Sequence, residues 1–201
     1  SLSDNTTGAS NTALGYYAMA LNTTGTENVA VGAEAFDANT TGVENVSVGY
    51  GALSANTTAS YNTAVGKSSL GSNTTGASNT SVGSGSLTAN TTGTLNVAMG
   101  VNALAASTTG NNNTTASYNT AVGYNSLALN TTGTASTAVG YASLDANTTG
   151  TNDAFGNLSL STNTTGTQNS AFGHSSSFNV TTGNYNTAMG YGAGYYVSTG
   201  T

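Results

Sequence analysis

Few side chains in this sequence are able to act as a nucleophile, base or acid. The chain has one histidine, one lysine, seven acidic residues and no cysteine. Nucleophilic catalysis needs a nucleophile and a base within hydrogen-bond reach of each other. His174 and Lys67 are separated by about six of the repeats described below, so they cannot meet within one chain. We therefore predict that the protein is not an enzyme and that it uses no cofactor.

Two glutamates have the spacing of a candidate cation site. Glu27 and Glu44 lie one repeat apart, so their carboxylates would stack and could ligate Ca²⁺. Two solvated glutamates at a turn explain the same spacing, and Glu34 and Asp37 do not extend the cluster. We therefore expect no metal site.

Asparagines in the triplet Asn-Thr-Thr offer a different chemistry, because each is formally an acceptor for N-glycosylation. In a repeat protein, stacked asparagines can instead form structural ladders and turn hydrogen bonds, so both interpretations stay open. The ten triplets begin at Asn5, Asn22, Asn39, Asn56, Asn73, Asn90, Asn113, Asn130, Asn147 and Asn163.

Two sets of surface residues suggest binding. Tyr16, Tyr50, Tyr124, Tyr141 and Tyr191 recur at one position of the repeat and form a candidate ladder for sugar ligands, with lateral packing as the alternative. The triplet Thr-Gly-Thr resembles the threonine ranks of ice-binding solenoids, although other residues interrupt it in several repeats. It occurs at 24–26, 92–94, 132–134, 149–151, 165–167 and 199–201.

The composition excludes several classes of partner. Charged residues make up 4% of the 201 residues, against about 25% in globular proteins. With one cationic side chain, the protein cannot form the contacts that bind nucleic acid. No apolar run approaches the roughly 20 residues of a membrane span, so we expect no membrane insertion. The apolar residues recur too regularly for a disordered chain, and a repeat architecture is predicted.

A glycine recurs every 17 residues and defines the repeat. We number the repeat positions from 1 to 17, starting at the asparagine of NTAVG (62–66), so that this glycine is position 5. The spacing is 23 between Gly100 and Gly123, which we assign to a loop insertion at 111–116. It is 16 between Gly140 and Gly156, and we place the missing residue in the turn before Asn152.

This period predicts an all-β protein. Short strands broken by the position-5 glycine and by an Asn-Thr-Thr-Gly turn fit the repeat, whereas no helical apolar stripe is present. We predict a β-solenoid (β-roll) of about eleven 17-residue coils stacked about 4.8 Å apart. Residues 1–201 would form one repeat domain, with a partial coil at 1–10, full coils from about residue 11 and a C-terminal cap or junction at 191–201.

Strand alternation separates the residues of NTAVG into two faces. We predict that Val65 faces the coil interior and that Ala64 faces outward. Position 3 is always Ala or Ser, which favours close chain–chain packing against this outer face, although a sharp corner within one coil would impose the same rule. The alanines assigned to this contact are Ala13, Ala30, Ala64, Ala98, Ala121, Ala138, Ala154, Ala171 and Ala188.

The chain resembles the head domains of trimeric autotransporter adhesins and similar repeats of phage tail-fibre proteins. The resemblance rests on NTALG (11–15), NVAVG (28–32), NTAMG (186–190) and stretches such as GYNSLALNTTG (123–133), and it covers essentially the whole chain. It implies a left-handed β-roll, three copies of which pack around a threefold axis with small residues inward. The 17-residue unit is longer than the adhesin repeat and looks closer to tail-fibre arrays.

These observations lead to a functional expectation. We expect an extracellular structural and adhesive fibre segment, homotrimeric, at the cell surface or on a virion. Its partners would be other copies of the chain and cell-surface glycans. The alternative is a subunit of a self-assembling surface filament joined end to end, and an ice-binding solenoid is the third hypothesis.

Overall fold

The computed structural model describes residues 1–105 and 117–199, and within them the protein is an all-β parallel solenoid with no helix. Each coil contributes one three-residue strand. The eleven strands form a single parallel sheet in chain order, which confirms the predicted solenoid. They are β1 (Thr12–Leu14), β2 (Val29–Val31), β3 (Val46–Val48), β4 (Thr63–Val65), β5 (Thr80–Val82), β6 (Val97–Met99), β7 (Thr120–Val122), β8 (Thr137–Val139), β9 (Asp153–Phe155), β10 (Ser170–Phe172) and β11 (Thr187–Met189).

The register follows the repeat numbering along the whole sheet. In β4 and β5, Thr63 pairs with Thr80 and Ala64 with Ser81. The register is kept across the 23-residue spacing, where Val97 pairs with Thr120, and across the 16-residue spacing, where Thr137 pairs with Asp153. The sheet therefore accommodates both irregularities outside the strands. The inserted residues 111–116 lie outside the described part of the chain.

The two faces of the strand are the reverse of the prediction. Ala64 is fully buried inside the coil, whereas Thr63 and Val65 are partly exposed on the outer face of the sheet. The interior is narrow at this point, because position 3 lies opposite position 8 of the same coil. Ser47 Oγ donates to the Ala52 carbonyl at 2.8 Å, a contact that leaves room only for Ala or Ser.

This orientation corrects the chain–chain packing assignment. Ala64 and its equivalents in β2 and in β6 to β10 have no exposed surface in the single chain, so their side chains cannot contact a partner. Ala188 is also buried, and Ala13 packs against the core. The coil is filled instead by position 9. This column consists of Met19, Phe36, Leu53, Leu70, Leu87, Leu104, Leu127, Leu144 and Leu160, followed by Ser177.

Two buried amide ladders replace much of an apolar core. At position 1, Asn62 Oδ1 accepts from the backbone N–H of Asn79 at 3.0 Å and from its Nδ2 at 3.2 Å. At position 12, Asn39 Nδ2 donates to Asn22 Oδ1 at 2.8 Å. Both columns also bond the position-15 carbonyl, as Asn39 does to Gly42 at 3.2 Å. Buried polar groups are tolerated here because neighbouring coils hydrogen-bond them.

The turn between the strand and the Asn-Thr-Thr-Gly segment uses left-handed backbone at positions 7 and 9. Leu53 and Leu70 both have φ of 51° although they are not glycines. This conformation costs about 1–2 kcal/mol per residue. It places the leucine side chain in the core, while the Leu53 N–H donates to the Ser69 carbonyl at 3.0 Å in the next coil.

One coil carries Ala59 at position 15, where the other described coils have glycine, and its threonine ladder is weakened. The Thr57 N–H donates to the Thr74 carbonyl at 3.4 Å, and no hydroxyl bond from Thr57 accompanies it in this described coil. An added Cβ at this position crowds the neighbouring carbonyl and amide.

We therefore expect Ala59→Gly to stabilise the protein. Restored hydrogen bonds are worth about 1 kcal/mol each, and the greater flexibility of glycine in the unfolded chain offsets part of this gain. The expected increase in the free energy of unfolding is about 1 kcal/mol, measured by urea denaturation. Gly76→Ala in the next coil should act in the opposite direction. A decrease for Ala59→Gly would contradict this account of the ladder.

Candidate docking face

One side of the solenoid is formed by the outer surface of the sheet and the two columns that flank it. Positions 2 and 4 of every strand face outward, position 6 follows the turn at the glycine, and position 17 precedes the buried asparagine. We call these four columns the docking face. In the fourth coil they are represented by Thr63, Val65, Lys67 and Ser78.

Exposed apolar side chains concentrate on this face. Among the described residues, fourteen of the nineteen large hydrophobic side chains that are exposed belong to columns 4, 6 and 17. They are Leu14, Tyr16, Tyr50, Tyr61, Leu95, Met99, Val101, Tyr118, Tyr124, Tyr141, Phe172, Tyr185, Met189 and Tyr191. These side chains occur in eight of the eleven coils, and polar or charged residues such as Glu44 and Lys67 lie between them. A face that exposes this many large apolar side chains is a candidate interaction site.

The candidate tyrosine ladder is discontinuous. Tyr124 and Tyr141 stack with ring centroids 5.4 Å apart, and Tyr191 stacks on His174 at 5.0 Å. Tyr16 instead contacts Tyr17 edge-on, and Tyr50 has no aromatic neighbour in its column, which holds Ala33 and Lys67 on either side.

A second set of tyrosines, at position 17, was not predicted from the sequence. It contains Tyr61, Tyr118 and Tyr185, all exposed. The sequence does contain the pattern, because in three repeats a tyrosine stands directly before the position-1 asparagine.

The glutamates of the candidate cation site and the single lysine lie on the surface. Glu27 and Glu44 are exposed in the position-17 column, and Lys67 is exposed at position 6. Within the described residues, no group of three or more His, Cys, Asp or Glu side chains is arranged to hold a metal ion. A hydrogen bond to the Glu34 carboxylate raises the pKa of Tyr50 above its ordinary value. No helix that could cross a membrane is found in the described residues.

The structure corrects the glycosylation prediction at eight of the ten triplets. The first asparagine of each of these triplets belongs to the buried position-12 ladder, where its Nδ2 faces the coil interior, so the folded coil has no room for a glycan there. The buried residues are Asn22, Asn39, Asn56, Asn73, Asn90, Asn130, Asn147 and Asn163. Asn5 is exposed in the partial first coil, and Asn113 lies outside the described residues.

The threonines of the Asn-Thr-Thr-Gly turn occupy two different environments. Position 13 forms a hydroxyl ladder, in which Thr23 Oγ1 donates to the Thr40 carbonyl at 2.9 Å. Position 14 is exposed, as at Thr24, whereas position 16 is half-buried, as at Thr26. Neither position 14 nor position 16 lies in a strand, so the Thr-Gly-Thr pairs are not presented on the sheet.

Acidification should stabilise the folded chain. Burial raises the pKa of the carboxyl groups of Asp37 and Asp145, and the nearby Glu34 adds to the effect on Asp37. A raised folded-state pKa makes ionisation costly in the fold, so this cost is present at pH 7 and disappears below the ordinary value of 3.8. We expect the free energy of unfolding by urea to rise as the pH falls from 7 towards 4.

Asp37→Asn should reduce this pH dependence, because it removes one of the two carboxyl groups whose pKa is raised by burial. Few ion pairs are available to be lost in acid, since the chain has a single lysine. A stability that falls steadily between pH 7 and pH 4 would contradict the prediction.

Comparison with known proteins gives no identification: no protein-family model, no curated protein and no solved structure matches the chain significantly.

Proposed function

We propose that the protein is a segment of an extracellular fibre, with a structural and adhesive role, in which three copies of the chain associate through the docking face. The observation that carries the proposal is the concentration of exposed apolar side chains on that one face. A monomer would leave these side chains in water in eight of the eleven coils. Eleven strands at about 4.8 Å give a stripe roughly 50 Å long.

The distribution of apolar side chains across the docking face supports a cyclic assembly. Apolar residues occupy both flanking columns, as at Tyr118 in column 17 and Tyr141 in column 6. Two flat sheets packed face to face would cover columns 2 and 4 and leave both flanks exposed. In a ring of three, column 17 of one chain can pack against column 6 of the next, because a cyclic interface joins different surfaces of identical subunits. The resemblance to trimeric fibre repeats supports the same stoichiometry.

The remaining sides of the coil suit the adhesive role. They carry threonines of positions 13 and 14 and variable small residues, with almost no charge. A rod of this kind presents equivalent groups in every coil and every chain. Weak contacts repeated in this way add through avidity, without requiring any single strong site.

Sedimentation equilibrium of the purified chain at micromolar concentration tests the proposal. A mass three times the chain mass of 19.6 kDa is expected. A stable monomer would overturn the assembly. Negative-stain images distinguish discrete rods, which the trimer requires, from indefinite filaments, which would favour end-to-end joining of subunits instead.

A further inference from the structure

A groove of about 400 Å³ lies on the side of the solenoid next to the docking face, across three successive coils. Its polar lining consists of Asn102 and Asn125 at position 7 and Asp145 at position 10. Its apolar lining includes Ala128 and Leu129. The volume falls in the range typical of small-molecule sites.

Backbone stacking places these side chains beside one another. The Asn125 N–H donates to the Val101 carbonyl at 3.1 Å, which brings Asn125 next to Asn102 in the preceding coil. The Leu129 N–H donates to the Asp145 carbonyl at 3.0 Å, so that Leu129 lies beside the carboxyl-bearing residue of the following coil. Three successive coils joined by backbone hydrogen bonds therefore build the groove.

The lining residues are departures from the repeat. Asparagine occurs at position 7 in these two coils and in no other, and aspartate occurs at position 10 at Asp37 and Asp145 alone. Asp37 has Glu34 at position 7 of its own coil and Tyr17 at position 7 of the preceding coil, so it lacks the flanking amides. Asp145 Oδ1 is buried and makes no hydrogen bond with any described residue, so only the part of the carboxyl group that lines the groove is available to a ligand.

We propose that this groove binds a neutral carbohydrate, one or two sugar rings in size. Two amides supply both donors and acceptors, and the carboxyl group supplies acceptors, which together match the vicinal hydroxyls of a sugar. Ala128 and Leu129 provide an apolar surface for the ring C–H groups. This inference rests on the proposed adhesive function and assigns it a ligand class and a location.

The charge balance selects against acidic sugars. The chain has a net charge of −6, and its single lysine, Lys67, belongs to a coil that does not line the groove. Asp145 would repel the carboxylate of a sialic or uronic acid, and no cation in the lining would compensate. Neutral hexoses and N-acetylhexosamines are the expected ligands.

A printed array of neutral and sialylated oligosaccharides, probed with the fluorescently labelled full chain, tests the proposal. The double variant Asn125→Ala/Asp145→Ala should lose at least about tenfold in retention on the neutral glycans, because it removes two of the three polar side chains. Asp37→Ala is the matched control, since it changes the equivalent position-10 aspartate outside the groove and should retain wild-type binding. Circular dichroism verifies that both variants are folded.

The array results either support or overturn carbohydrate binding in the groove. Retention of neutral glycans by the wild type and Asp37→Ala, with loss in the double variant, supports the groove. No retained glycan, equal retention by the double variant, or a preference for sialylated glycans would overturn it. Sedimentation equilibrium on the same samples reports self-association separately, so a monomer that binds neutral glycans would refute the trimer and leave the groove standing.

Discussion

Gly66→Ala is expected to cost more than about 4 kcal/mol of folding free energy, a loss outside the usual range for single substitutions. Gly66 has φ of 132°, a region that L-residues rarely adopt. A Cβ there would lie 2.6 Å from both the carbonyl carbon and oxygen of Gly83 in the next coil. Because Gly83 and its equivalents belong to the stacked backbone, no flexible side chain can move to relieve the contact.

The measurement is urea denaturation followed by far-ultraviolet circular dichroism. Repeat stabilities in solenoids add through nearest-neighbour contacts. The variant should therefore also lose cooperativity, with faster amide hydrogen exchange in the coils around β4 and β5 than at a distance.

Gly51→Ala is the matched control, one coil earlier and at position 7. Gly51 also has positive φ, 60°, but the nearest atom to an added Cβ is Ser68 Oγ at 3.9 Å. Ser68 and Ala142 occupy the same position with φ of 54° and 47°. This variant should cost about 1 kcal/mol. Equal losses for Gly51→Ala and Gly66→Ala would show that the stacked backbone does not impose glycine at position 5.

The repeat period was sufficient to predict the architecture, because a 17-residue recurrence of glycine and asparagine fits only stacked coils. It also placed the missing residue in the right turn. In the other coils that are described as far as position 17, a residue with positive φ, such as Gln168, occupies that position. Between β8 and β9 this residue is absent, and the chain runs directly from Thr151 at position 16 to Asn152 at position 1. Of the two interpretations of the Asn-Thr-Thr triplets, the structural ladder is the one that the buried amides support.

The orientation of the strand was not predictable from alternation alone. A period of two places Thr63 and Val65 on one face and Ala64 on the other, without saying which face is inside. The variation between copies held the missing information. Position 4 varies in volume from Val65 to Met99 and Phe172, as a surface allows, whereas position 3 is restricted to Ala and Ser because position 8 lies opposite at hydrogen-bond distance.

Position 7 carries the ordinary sequence signal for left-handed backbone in several coils, as at Gly51, Asn102 and Asn125, whereas position 9 carries none in the first ten coils. Glycine and asparagine are the usual residues with positive φ, yet Leu53, Ser68 and Leu70 adopt it here. Tertiary packing overrides local preference, because the core needs the position-9 side chain and each turn bonds to the next coil.

The double variant Val65→Asp/Val82→Asp should weaken self-association at least about 100-fold while leaving each chain folded. Both side chains lie on the outer face of the sheet, in adjacent strands at the centre of the docking face. In a trimer each would be covered by another chain, and an unpaired buried carboxylate costs several kcal/mol. The fold itself should survive, because Asp153 already occupies the outer face of β9 without interrupting the strand.

The matched control is Thr75→Asp/Thr92→Asp, which places the same two charges in adjacent coils at position 14, away from the docking face. Both threonines are exposed, and we expect this variant to sediment as the wild type does. Sedimentation equilibrium over a range of concentrations gives the association constant of all three proteins, and circular dichroism confirms their fold. If both double variants assembled equally well, the docking face would not be the surface that joins the chains. If both dissociated, repulsion from the charges added to a chain that is already negative would explain the effect, and uncharged substitutions such as Val65→Ser would map the interface.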